Sequence, residues 1–291
     1  MKKQFFKSIV GSLFSLLMVS CNSKITSEVD SLIRFYADGD KFNASVTTKT
    51  SETTDASLES NGFYVSASTG AEGSDESAVF TSAKFNKSGD TWAADHYWPT
   101  SDLSYHFAAS NITLAHTATG ATISASNSTD VVCAYLSNPD YKGKNTLSFQ
   151  HIFARIGTVA VSAANGYTIS GLTIKLIPKV SGTYNLYMGN GHTDGTGWSA
   201  MTDGNETTIA SSIGNNTNDL YLVPGTYTLI ASWTATQGAY NETFSDKECM
   251  VEITGGKINT ISATFTGRAS GIQFGVSTQS WGENEIVLEL L

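Results

Sequence analysis

Apolar and polar residues alternate with a period of two along most of this chain, and that pattern demands extended strands. In "GTYTLIASWTA", Tyr227, Leu229, Ala231 and Trp233 fall on one side, with Thr226, Thr228 and Ser232 on the other. Successive side chains of a strand point to opposite faces, whereas a helix would scatter the same set around its axis. "GFYVSAS" repeats the pattern with Phe63, Val65 and Ala67, and "LSYHFAAS" with Tyr105, Phe107 and Ala109. "SGLTIKLIP" aligns Leu172, Ile174 and Leu176, "NTISATFT" aligns Ile261, Ala263 and Phe265, and "GIQFGVST" aligns Ile272, Phe274 and Val276. Turn-forming clusters such as "SNPDYKG", "AANG", "VPG" and "TGGK" separate these runs. No segment carries a convincing helical period. Many short strands with frequent turns predict an all-β fold of the sandwich type.

The stretch "LSFQHIFARIGTVAVSA" runs nearly unbroken from Leu147 to Ala163, too far for one strand in one sheet. It predicts the last strand of an N-terminal sandwich continuing into the first strand of a C-terminal one, with the boundary near Ala154. Two tandem β-sandwich domains follow, residues 21–153 and 154–291, each of ordinary domain size.

Residues 1–20 are set aside from the fold. The chain opens "MKKQFFKS", a basic segment, and continues into "IVGSLFSLLMVS", an apolar run shorter than the roughly 20 residues of a membrane span. It has the length of a signal-peptide core. The run ends "MVSC", which resembles the lipobox of bacterial lipoproteins. That resemblance implies cleavage before Cys21 and lipidation of Cys21, and several acyl chains hold where one would bind marginally. Without residues 1–20 the chain loses three Lys and no acid, leaving 14 basic and 26 acidic residues, a net charge of −12. So acidic a chain is not built to grip nucleic acid through its phosphates. Cys133 and Cys249 lie in strand-like runs and read as small core residues, with a disulfide between them left open.

Catalytic and metal-binding patterns are missing. The five His are scattered, with His151 and His192 standing alone, and no HExxH, GxSxG or local Cys–His pair occurs. "GNGHTDGTG", Gly189 to Gly197, offers one carboxylate, Asp194, so a loop tip is the better reading than a Ca²⁺ site. No enzyme activity, no cofactor and no metal are expected. Tyr97 and Trp98 in "DHYWP", together with Trp198, are candidate aromatics for stacking on a glycan, weighed against ordinary core packing.

The order of segments resembles the fimbrillin family, the type V pilins of Bacteroidales and their lipoprotein relatives. The resemblance is carried by "IRFYAD", "WAADHYWPTSDLSYHFAAS", "DVVCAYL", "LSFQHIFARIGTVAV" and the closing "GIQFGVSTQSW". It implies two transthyretin-like β-sandwiches behind a lipoprotein signal, exposure at the outer membrane, other pilin subunits as partners, and a role in adhesion. It further implies removal of the first strand by a protease that cuts after a basic residue. The C-terminal strand of another subunit then fills the groove. This is strand addition, repeated head to tail through a heterologous interface.

The residues offer parts for such a mechanism. The sequence closes "WGENEIVLELL", residues 281–291, with Ile286, Leu288 and Leu290 on one face. Burying three large aliphatics contributes roughly 5–9 kcal/mol gross. The same segment also suits a plain last strand folded back on its own domain. For the cut, Lys49 in the polar stretch "GDKFNASVTTKTSETT" is the first choice and Lys41 the second, since proteases prefer such segments. A non-polymerising surface lipoprotein that binds glycan or another host ligand is the alternative function.

Overall fold

The computed structural model describes residues 32–37, 53, 55–71, 74–88, 91–97, 103–118, 120–139, 145–164, 166–265, 273–280 and 286–290. Cys21, Lys41, Lys49 and Trp98 lie outside these residues. The first half supplies β1 (Leu32–Ala37), α1 (Asp55–Asn61), β2 (Phe63–Ala71), β3 (Ser74–Ser88), β4 (Thr91–Tyr97) and β5 (Tyr105–Ser110). It continues through β6 (Ala115–Thr117), β7 (Gly120–Ser126), β8 (Val132–Ser137) and β9 (Asn145–His151). The long run of the sequence breaks at Ile152 and Phe153, and β10 (Ala154–Ala163) follows. Next come β11 (Thr168–Leu176), β12 (Lys179–Asn185), α2 (Leu186–Gly189), β13 (Trp198–Asp203) and β14 (Thr207–Ala210). The chain closes with β15 (Gly214–Leu222), β16 (Gly225–Gln237), β17 (Tyr240–Ile253), β18 (Lys257–Phe265), β19 (Gln273–Ser280) and β20 (Ile286–Leu290). The fold is all-β, as the alternation requires.

Eight strands close into a barrel in the order β1-β20-β9-β8-β5-β2-β3-β4. Its inner face takes the alternating set: Phe63, Val65, Phe107 and Leu147 are fully buried. The Phe63 ring lies 5.0 Å from that of Trp92 and 5.3 Å from that of Phe149. Each such side chain contributes roughly 1.5–3 kcal/mol on burial.

α1 is a correction to the sequence reading, which predicts no helix. At seven residues it is too short to show a period. It persists because Leu58 plugs the barrel core and because Gly62 ends it. Gly62 has φ +73°, its N–H donates to Leu58 O at 2.8 Å, and a Cβ there would lie 2.4 Å from Phe85 O. Glycine is the usual residue for this left-handed helix end. α2 is a single turn capped by Asn185, whose side-chain oxygen accepts from Tyr187 N and Met188 N.

β5 is buried at all six positions, which a strand with one solvent face cannot be. The reason is a second layer. A four-stranded sheet ordered β13-β12-β7-β6 covers the outside of the barrel. Ala108 and Cys133 from the barrel exterior pack there with Ile123, Tyr184, Leu186 and Trp198. That sheet joins strands from both sides of Ala154, with Tyr184 opposite Ile123 and Thr183 opposite Ser124.

The remaining strands form two facing sheets, β15-β10-β18-β19 and β14-β11-β16-β17. β10 and β18 run parallel, the other neighbours antiparallel. Between them lies the largest buried cluster, including Ile174, Leu229, Trp233 and Ile261. Trp233 stacks on Phe244 at 4.6 Å and meets Phe265 edge-on at 5.0 Å. Cys133 is buried as predicted. Cys249, on β17 at the margin of its sheet, is only partly buried, and both thiols are free.

Candidate functional site

β20 does not stay with the sheet that precedes it. After β19 pairs with β18, the chain enters the barrel, and β20 lies between β1 and β9. Its register on β9 sets Ile286 opposite Phe149, Leu288 opposite Leu147 and Leu290 opposite Asn145. On the other side Leu288 faces Ala37 and Leu290 faces Phe35. Leu147 and Phe149 belong to the barrel core. Opposite residues of an antiparallel pair share a sheet face, so the predicted apolar set holds the register positions of that core. β1 also pairs with β4, Phe35 opposite Trp92, so the barrel closes through β1 and β20 together.

A polar group sits where β9 ends. Asp130 is buried, and its Oδ1 lies 2.8 Å from His151 Nδ1. Thr53 N donates to Asp130 Oδ2 at 2.7 Å, and Asn111 Nδ2 donates to Asp130 O at 2.8 Å. His151 therefore does not stand alone, as its isolation in the sequence suggests. The contact separations of 77, 19 and 21 residues explain why no local pattern shows this group.

Beside the same strand end is a cavity of about 370 Å³. Tyr184 and Trp198 line it, with Gln150, His192, Pro224 and Lys257. Trp198 is 9% exposed. It is held between Phe153 and Tyr184, with ring centroids at 5.0 and 5.2 Å. Burial raises the Tyr184 hydroxyl well above the ordinary tyrosine range. It also pushes the Cys133 thiol up to about 12. Tyr97 is 51% exposed at the end of β4. It is not among the cavity residues, so Tyr97 and Trp198 do not converge there.

The Gly-rich loop begins where α2 ends, at Gly189, and Thr196 N donates to Asp194 Oδ1 at 3.0 Å. That side-chain turn holds the Asp194 carboxyl below its usual range. Among the described residues no three His, Cys, Asp or Glu groups gather as metal ligands.

No curated protein matches the chain. Among solved structures it is similar to a fimbrial protein from Bacteroides vulgatus, with 15% identity, TM-score 0.49, and coverage of 78% of this chain and 96% of that one. It is also similar to a candidate cell adhesion protein from Parabacteroides distasonis, with 8% identity, TM-score 0.44, and coverage of 76% and 94%. A candidate cell adhesion protein from Bacteroides ovatus shows 15% identity, TM-score 0.40, and coverage of 77% and 89%. The family described as fimbrillin-like matches residues 36–281, from the end of β1 to just beyond β19. A match across that much of the chain means that this protein belongs to the fimbrillin-like family.

Proposed function

We propose that the chain is a pilus subunit, made as a lipoprotein of the outer membrane, exposed at the surface, and assembled by donor-strand exchange to support cell adhesion. The observation that carries this reading is the place of β20 between β1 and β9. A strand from the far end of the chain occupies a slot in the N-terminal barrel, and five register pairs join it to β9. The same strand from another copy would make the same pairs, because main-chain ladders do not distinguish one copy from the next. Loss of β1 by a cut after Lys49, or else Lys41, opens one wall of that slot. Ile286, Leu288 and Leu290 are the donor residues, and Cys21 carries the lipid until the cut. The halves 21–153 and 154–291 act as acceptor and donor bodies. The work is structural, with other pilin subunits as partners and no catalysis.

Intact mass and N-terminal mapping of protein from the native cell surface test this. A non-lipidated chain beginning at Thr50 or Phe42, found in high-mass polymers that a chain lacking residues 286–291 does not form, is the expected result. A chain acylated on Cys21, full length and monomeric, sinks it.

The cavity beside β9 favours a second reading, in which the monomer binds glycan. Tyr184 and Trp198 line that cavity, and His192 and Gln150 supply polar groups. Glycan binding by the monomer that is lost in His192→Ala supports it, and loss in Tyr97→Ala would point to the exposed aromatic instead.

A further inference from the structure

β9 is held unevenly. Residues 145–149 pair with β20. Towards β8, the pairs among the described residues are Val132 with His151 and Cys133 with Gln150, both at the C-terminal end. Ile152 N adds one bond to Val131 O at 3.1 Å. When β20 leaves, the ladder of residues 145–149 goes with it, and the strand stays attached through its end.

That end is where the buried carboxylate sits. The Asp130 side chain is 3% exposed and needs donors, because a buried anionic oxygen without them is costly. One oxygen faces His151 Nδ1 and the other accepts from Thr53 N. Thr53 Oγ1 donates to Asp130 O at 2.9 Å and accepts from Asn111 Nδ2 at 2.9 Å. Asn111 Oδ1 accepts from Val132 N at 3.0 Å. Thr53 stands four residues beyond Lys49 and two residues before α1, whose Leu58 fills the barrel.

We propose that Thr53, Asn111, Asp130 and His151 form a clamp that positions the acceptor strand. It ties the chain just beyond the removable segment to the hinged end of β9, so that β1 can be lost while β9 keeps its place. The clamp deepens the donor-strand reading and rests on it. All four groups lie at Thr53 or later in the chain, beyond Lys49.

The test uses the full chain treated with trypsin to remove its N-terminal segment. A labelled peptide of residues 281–291 is then added in large excess, so that it displaces the chain's own β20, and its release is timed. Hydrogen exchange of residues 145–151 is followed in both cut and uncut protein. Asp130→Ala is expected to release the peptide at least tenfold faster and to raise exchange in 145–151. Asp130→Asn, which keeps a carbonyl for Thr53 N and offers an N–H to His151, should restore both towards wild type. Thr53→Val, which keeps its main-chain donor and loses the hydroxyl, is the milder variant if Asp130→Ala does not fold. Wild-type release and wild-type exchange in a folded Asp130→Ala protein overturn the clamp. If the wild-type protein takes up no peptide, the donor-strand reading fails instead. Exchange in the uncut chain then decides the clamp by itself, and unchanged protection of 145–151 overturns it.

Discussion

At the scale of single residues, the outer face of β8 shows how much a second layer changes a side chain. Cys133 is a small core residue on its strand pattern alone. Only the covering sheet makes it inaccessible enough to hold its thiol at about 12, against an ordinary value of 9.0. Tyr227 behaves likewise. Its hydroxyl donates to Val223 O at 2.5 Å, and burial raises it to about 12 from 10.0. Both groups are neutral when folded and ionise more readily when unfolded. Their contribution is therefore complete below pH 9 and is lost as pH rises towards 12. Each costs about 1.4 kcal/mol per pH unit within its window. Urea unfolding should show stability falling from pH 9 upward, and Cys133→Ala should delay the onset to near pH 10. Alkylation at pH 8 should label Cys249 and spare Cys133 until the protein unfolds, which peptide mass mapping reads directly. In the second core, Trp233→Ala removes a ring packed between Phe244 and Phe265. It should cost about 3–5 kcal/mol in denaturant unfolding.

At the scale of elements, strand identity was legible because alternation is a local property. Phe63, Val65 and Ala67 are buried as the period predicts, as are Leu172, Ile174 and Leu176. Two kinds of element escaped it. α1 is specified by one plug, Leu58, and one left-handed residue, Gly62, and neither makes a period. β5 looks like a half-exposed strand in "YHFAAS", yet His106, Ala108 and Ser110 are buried as deeply as their neighbours. β20 is the element on which assembly turns. It makes three register pairs with β1 and five with β9, so deleting residues 286–291 strips both neighbours at once. Thermal unfolding of that variant should begin roughly 5 °C or more below the full chain, and it should aggregate faster, since an unpaired β9 edge invites another strand. Equal melting temperatures would mean that β20 contributes nothing to the barrel.

At the scale of the whole molecule, the halves on either side of Ala154 each hold a core of their own and share one sheet and a third buried cluster. β7 pairs with β12, and Tyr187 Oη lies 2.7 Å from Ser68 Oγ, joining α2 to the barrel wall. Calorimetry should give one transition that coincides with loss of Trp fluorescence. Two resolved transitions would show that the sheet spanning both halves does not couple them. Sequence by itself determined that the chain is all-β, where several of its strands lie, and that the closing apolar strand has one greasy face. These follow from side-chain periodicity and turn chemistry, which act over a few residues. Tertiary structure alone decided that β20 enters the N-terminal barrel, that Trp198 is buried, and that Thr53, Asn111, Asp130 and His151 meet. Those outcomes depend on pairing between residues tens to hundreds of positions apart. A strand carries the same alternation whichever edge it joins, so the choice of partner is made only when the sheets are assembled.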